Sequence, residues 1–135
     1  MKTWTEKLND PTRPFIKVAT RTGGGVIEGQ QMLIPTARQV DDYVRGLPRG
    51  AIVDVGQARH ALAQASGAEV TCPVTIGYHL RTVAEAALEA REMGAELDEI
   101  TPFWRAIGPE APTAGRLRGG VDFIRERRAA EQGAD

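Results

Sequence analysis

The chain is poor in cysteine and histidine: Cys72 is its only thiol, and His60 and His79 are its only imidazoles. One thiol excludes an intrachain disulfide and a cysteine-based metal cluster, and two histidines are too few for a zinc site, so no metal is expected. This cysteine usage fits a reducing cytoplasm. No apolar run approaches the roughly 20 residues that a bilayer crossing needs. The polar opening Met1-Lys2-Thr3-Trp4-Thr5-Glu6 carries no signal-peptide pattern, so no membrane is expected among the partners. Neither sign of charge is in excess: the formal net charge is −1, which argues against a broadly basic nucleic-acid surface but allows a local patch. Aromatic residues number seven in 135. Thr22-Gly23-Gly24-Gly25 is rich in glycine, yet no Gly-Lys-Ser/Thr follows it; it reads as a flexible turn rather than a phosphate loop, and no cofactor is expected. A chain of this length has room for one modest core.

What is present reads as short strands followed by helices. Residues 1–14 read as an arm, because Asp10-Pro11-Thr12-Arg13-Pro14 cannot hold a helix. Phe15-Ile16-Lys17-Val18-Ala19 reads as a strand. Val26-Ile27 and Met32-Leu33-Ile34 flank Glu28-Gly29-Gln30-Gln31 as a hairpin. A first helix starts at the cap Thr36, with Gln39 completing a capping box; its stripe is Val40, Tyr43, Val44 and Leu47, and Gly46 and Pro48 end it. A turn at Leu47-Pro48-Arg49-Gly50 leads into a short strand, Ala51-Ile52-Val53. Asp54 and Gln57 cap a second helix striped by Ala58, Ala61, Leu62 and Ala65 and stopped by Gly67, with His60 solvated off the stripe. Cys72-Pro73 opens a third, long helix running to Met93. It is expected to expose Thr75, Tyr78, His79 and Thr82 near its start and Glu85, Glu89 and Glu92 farther on.

Two of the seven aromatics are adjacent, in Thr101-Pro102-Phe103-Trp104-Arg105-Ala106-Ile107. Phe103 and Trp104 read either as core plugs behind a proline turn or as the walls of a pocket for a planar group such as a base. Arg116, Arg118, Arg125, Arg127 and Arg128 form the one basic concentration, either a solvated helix face or a phosphate-contacting surface. Three helices with short turns and small strands predict a mainly α winged-helix (helix-turn-helix) domain over 36–135, preceded by an arm and hairpin over 1–35.

The order of these motifs resembles the C-terminal DNA-binding domain of the alkylguanine-DNA alkyltransferases, the methylated-DNA-protein-cysteine methyltransferase family. The resemblance spans roughly residues 36–133. It rests on the turn Leu47-Pro48-Arg49-Gly50, the helix opened by Gly56-Gln57-Ala58, the small-residue stretch Val74-Thr75-Ile76-Gly77-Tyr78, and Pro102-Phe103-Trp104-Arg105-Ala106 in place of the family's Pro-Cys-His-Arg-Val. Gly119-Gly120 and Glu131-Gln132-Gly133 complete it. No one of these motifs is specific; their order is. Phe103 stands where the family carries its alkyl-accepting cysteine, and Trp104 where it carries histidine; only Glu131 keeps the residue type of the third role. A phenyl ring has no nucleophilic lone pair, so no catalytic residue is expected at this position. No arginine occurs between Cys72 and Thr75, where the family's intercalating arginine falls, and the family's nucleotide-rotating tyrosine maps near Val55.

The resemblance therefore implies a non-catalytic, alkyltransferase-like protein that binds double-stranded DNA and senses alkylated guanine for repair, with a repair protein as a further partner. It implies a lesion pocket of Pro102, Phe103, Trp104, Arg105, Gly119 and Glu131, with Arg105 bracing the loop. It also implies a DNA-facing set of Thr75, Gly77, Tyr78, His79, Arg116, Arg118 and Arg125. Two alternatives stand beside it. One is a descendant of the fold that binds a small molecule or a protein in an aromatic pocket. The other is an enzyme working through Cys72, whose thiolate a helix N-terminus would favour, or through Glu131.

Overall fold

The computed structural model describes residues 2–133; the last two positions of the 36–135 segment lie outside them. The described residues form five helices and one small sheet. The helices are α1 (Trp4–Leu8), α2 (Ala37–Arg45), α3 (Val55–Ser66), α4 (Pro73–Glu92) and α5 (Gly120–Gly133). The strands are β1 (Phe15–Val18), β2 (Gln31–Ile34) and β3 (Val70–Thr71), in the order β1-β2-β3.

Local chemistry sets the helix ends. The Thr36 hydroxyl accepts the Gln39 N–H at 3.1 Å, while the Gln39 amide turns away to Ser66 Oγ at 3.0 Å, so the expected capping box is half formed. At α3 the box is complete: Asp54 Oδ1 accepts the Gln57 N–H and Gln57 Oε1 accepts the Asp54 N–H. Gly67 closes α3 with φ +74°, a conformation that costs glycine nothing because it lacks a Cβ. Val40 and Val44 of α2, Ala58 and Leu62 of α3, and Ile76, Leu80, Val83 and Ala84 of α4 meet around Leu33 of β2 to form the core. Ala65 of the expected α3 stripe is exposed and Ala63 is buried in its place.

Three expectations are corrected here. First, the opening segment is not an unstructured arm. Thr3 and Glu6 form a capping box that starts α1 seven residues before the first proline, and α1 lies on α4. Glu89 of α4 reaches its first turn, accepting the Trp4 N–H at 3.3 Å, the Thr5 N–H at 2.9 Å and the Thr5 hydroxyl at 2.6 Å. A five-residue helix is too short to persist alone; this carboxylate satisfies donors that would otherwise be left open at its positive end. Thr82 and Glu85, expected at the surface, are buried at 2% and 4% exposure. Glu85 pairs with Arg81 at 3.5 Å.

Second, the hairpin joins β1 to β2, with Phe15 opposite Ile34 and Val18 opposite Gln31. Val26 and Ile27 belong to the connection, where Gly23 and Val26 form a single bridge. Residues 51–53 form no strand either, and the Val53 N–H goes alone to the Arg105 carbonyl at 2.8 Å. Third, no structural boundary falls at residue 35. β2 runs parallel to β3 through Met32 opposite Val70 and Leu33 opposite Thr71, and Leu33 is 1% exposed, so the hairpin is built into the same core.

Candidate functional site

Phe103 and Trp104 are core residues. They sit on a single 3-10 turn, Phe103–Arg105, at 0% and 3% exposure. Phe103 stacks on Phe123 of α5 with centroids 5.6 Å apart and meets Trp104 edge-on at 5.5 Å. The indole Nε1–H donates to Glu131 Oε2 at 2.9 Å, and the Trp104 carbonyl accepts Arg128 Nε at 2.7 Å. The Arg127 guanidinium lies over the indole at 5.3 Å. This corrects the expected pocket: the rings are consumed by each other and by α5, and neither lines the hollows described below. Of the arginines of α5, Arg127 lies over the Trp104 ring and Arg128 donates to the Trp104 carbonyl, while Arg125 remains exposed.

Arg105 and Glu131 close the back of this cluster. Arg105 Nη2 lies 2.7 Å from Glu131 Oε2, and Arg105 Nη1 donates to the Leu47 carbonyl at 2.8 Å. The Gly50 N–H donates to Glu131 Oε1 at 2.9 Å. Burial alone would raise the Glu131 carboxyl. The hydrogen bonds from Arg105, Gly50 and Trp104, with the Arg105 charge, outweigh burial and lower it from 4.5 to about 2. With every partner in place and 2% of its side chain exposed, Glu131 is a staple between the 47–50 turn, the 103–105 turn and α5. Gly119 is likewise structural: with Gly120 it takes positive φ, +76° and +55°, to turn the chain into α5. Pro102 is half-buried and caps the 3-10 turn.

The open space lies beside this cluster. A groove of about 570 Å³ runs between the start of α3, α4 and residues 106–113. Ile52 and Val55 form one wall, Gly77 and Leu80 the floor, and Ile107, Ala111 and Pro112 the other wall; Asp54, Glu110 and Arg128 supply charge. Gly77, with no side chain, leaves the floor open. Across Gly77 and Thr113 lies a second recess of about 360 Å³, lined also by Trp4, Val74, Tyr78, Arg81 and Arg116. The first two turns of α4 thus stand between two hollows, with Val74 at 79% and Tyr78 at 68% exposure.

Of the expected DNA-facing set, Gly77, Tyr78 and Arg116 come together at this recess. Thr75 and His79 meet Tyr78 on its other side, away from the recess, and Arg118 and Arg125 lie apart. Thr75 and His79 line a crevice of about 320 Å³ with Pro35, Lys2, Lys7 and Asp10. Burial lowers the His79 pKa, against opposing contributions from the Pro35 carbonyl and Asp10. Arg118 pairs with Glu92 at 2.5 Å near the far end of α4, where the acidic residues of that helix draw it. Arg125 lies exposed on α5 near Asp122 at 4.0 Å. Trp4 and Arg81 are additions. The Arg81 guanidinium lies 5.3 Å and Lys7 Nζ 4.2 Å from the Trp4 ring centroid. Only a fold that lays α1 on α4 brings these residues together; Val74 is an exposed apolar residue outside the buried Ile76, Leu80, Val83 and Ala84 face of α4.

Cys72 precedes α4 and is half-buried, and the Thr75 hydroxyl donates to its Sγ at 3.0 Å. Burial works against ionisation, but the Thr75 hydroxyl, the backbone N–H groups of Thr75 and Val74, and the Arg59 charge together lower its pKa below the ordinary thiol value. The thiolate is therefore expected to form at lower pH than in a free cysteine. The rate of iodoacetamide labelling plotted against pH should show a midpoint below that of a model thiol, and Thr75→Val should move it up; coincident midpoints would refute this.

Among the described residues no group of three or more His, Cys, Asp or Glu is gathered to hold a metal ion, and no helix is long and apolar enough to cross a membrane. No model of a known protein family, no curated protein and no solved structure matches the chain.

Proposed function

We propose that this chain is a non-catalytic, alkyltransferase-like winged-helix protein that binds double-stranded DNA across the first turns of α4. The observation that carries this reading is the paired hollows around Gly77: a protruding helical edge of Val74 and Tyr78, a recess edged by Arg81 and Arg116, and an apolar groove directly across the helix. Guanidinium groups beside an exposed helix suit phosphate contact. Exposed apolar side chains can enter between base steps as wedges. The groove is roomy enough for a displaced base, and its apolar walls suit an alkylated one. In this reading the lesion pocket is the groove, and Phe103 and Trp104 support it from the core. The resemblance of the motif order to the alkyltransferases supports duplex binding, though not this position of the pocket; Val74 and Tyr78 take the place of the intercalating arginine.

The test is a salt titration of binding to two labelled duplexes, one plain and one carrying alkylated guanine. Affinity for both should fall steeply as salt rises. Tyr78→Ala should weaken both by roughly 10-fold, the scale of losing one stacked base contact. Ala111→Trp, which fills the groove, should abolish the preference for the alkylated duplex while sparing the plain one. Equal losses on the two duplexes would refute the groove as a lesion pocket, and no binding at low salt would refute the whole reading.

A second reading, a descendant of the fold that has left DNA and binds a small molecule or a protein partner, is favoured by the groove's mostly apolar walls and the near-neutral net charge. Its ligand affinity would be nearly insensitive to salt.

A further inference from the structure

The β1–β2 hairpin contributes little to the core through its outer strand. Every residue of β1 is exposed, including Phe15 at 52% and Val18 at 53%, and β1 is the edge of the sheet with β2 as its one partner. The hairpin is held instead by Leu33 of β2, by Ala19 and Val26, buried at 3% and 5%, and by pairing with β3. From residue 11 to residue 27 the chain carries Arg13, Lys17 and Arg21 and no acidic residue. All three cations are exposed. None takes part in an ion pair or a side-chain hydrogen bond among the described residues, whereas Arg45, Arg105 and Arg118 are paired. Of the nearby carboxylates, Glu69 is occupied by the Gln31 N–H at 2.8 Å and Glu28 lies on the connection beyond the cations.

The hairpin also stands beside the start of α4. The Cys72 N–H donates to the Leu33 carbonyl at 2.9 Å. Gly24, at φ +59°, lies so near Pro73 that a Cβ there would come within 3.0 Å of its ring. Arg59 of α3, held by the Thr71 carbonyl at 3.1 Å, lays its guanidinium against Gly25. The hairpin thus meets the start of α4 through β2 and the connection, while its outer strand carries Lys17, with Arg13 and Arg21 just before and after that strand.

We infer that the β1–β2 hairpin is a second DNA contact, a wing that lays Arg13, Lys17 and Arg21 along the phosphate backbone flanking α4. This rests on the duplex-binding reading above and extends its footprint from one helix to a helix and a ribbon. The competing role for these cations is protection of an open strand edge, since charges on an edge strand deter pairing with another copy.

The experiment compares the parent chain with the triple variant Arg13→Gln/Lys17→Gln/Arg21→Gln. Fluorescence anisotropy with a plain duplex is measured over a range of salt, with circular dichroism melts and sedimentation run alongside. The three exposed side chains make no ion pair or side-chain hydrogen bond among the described residues, so the melts should nearly coincide. The wing predicts that the slope of log affinity against log salt becomes shallower by about 2 to 3, equivalent to a loss of roughly 100-fold or more at 0.1 M salt. Unchanged slope and affinity in a variant whose parent binds would overturn the wing and leave the α4 reading standing, and self-association of that variant would assign the cations to edge protection. A parent that binds no duplex at low salt overturns both.

Discussion

Replacing Glu131 with alanine is expected to lower the unfolding free energy by about 3 kcal/mol or more, the scale for breaking one partner out of a buried ion pair. The change strands three donors at once: the Arg105 guanidinium, the Trp104 indole N–H and the Gly50 N–H lose their common acceptor. A drop in melting temperature of roughly 10 °C would follow for a domain of this size. The pair also sets a pH dependence. The folded carboxyl is held at about 2, below its ordinary 4.5. A depressed carboxylate stabilises the fold fully above the unfolded value, and that contribution is lost as pH falls from about 4.5 toward 2. Glu131→Gln should therefore flatten the acid limb of the stability–pH curve as well as lower its plateau. Equal acid sensitivity of parent and variant would show that other carboxylates govern the limb.

Phe103→Ala should cost about 3–5 kcal/mol, because it removes a fully buried ring and leaves a cavity against Phe123 and Trp104. Urea denaturation of parent and variant measures this directly; a loss below about 1 kcal/mol would mean that the site collapses around the gap. The same burial governs Phe103→Cys, which puts a thiol at the position that the proposed likeness to the alkyltransferases aligns with their acceptor cysteine. That variant should take up no alkyl group from alkylated duplex, since the position has no contact with solvent or with the groove. Mass spectrometry after incubation reads the outcome, and an alkyl increment would show that the loop opens.

The parts of the fold that rest on neighbours in the chain were legible from the residues alone. Thr36 and Asp54 cap their helices through residues three positions away, and the Val40 and Val44 stripe faces the core because helical periodicity puts it there. The parts that rest on distant residues were not. α1 is five residues long, and the carboxylate that caps it from outside lies 84 positions from Thr5, so the opening segment read as an arm. Once α1 sits on α4, Thr82 and Glu85 change from surface to interior. Phe103 and Trp104 were ambiguous for the same reason: their partner Phe123 and their acceptor Glu131 lie on α5, roughly 20 or more positions along the chain and beyond any local periodicity. The groove takes its walls from three separate segments, and no local pattern announces such a hollow.

The two indoles of this chain occupy opposite environments, and that has an optical consequence. Trp104 is sealed among rings with its N–H on a carboxylate, while Trp4 is half-exposed beneath two cations at the rim of the recess. Trp104 emission should sit to the blue and resist collisional quenchers. Trp4 emission should sit to the red and respond to acrylamide and to anything that enters the recess. Without any added dye, the protein thus carries one chromophore that reports on its core and another that reports on the surface beside α4.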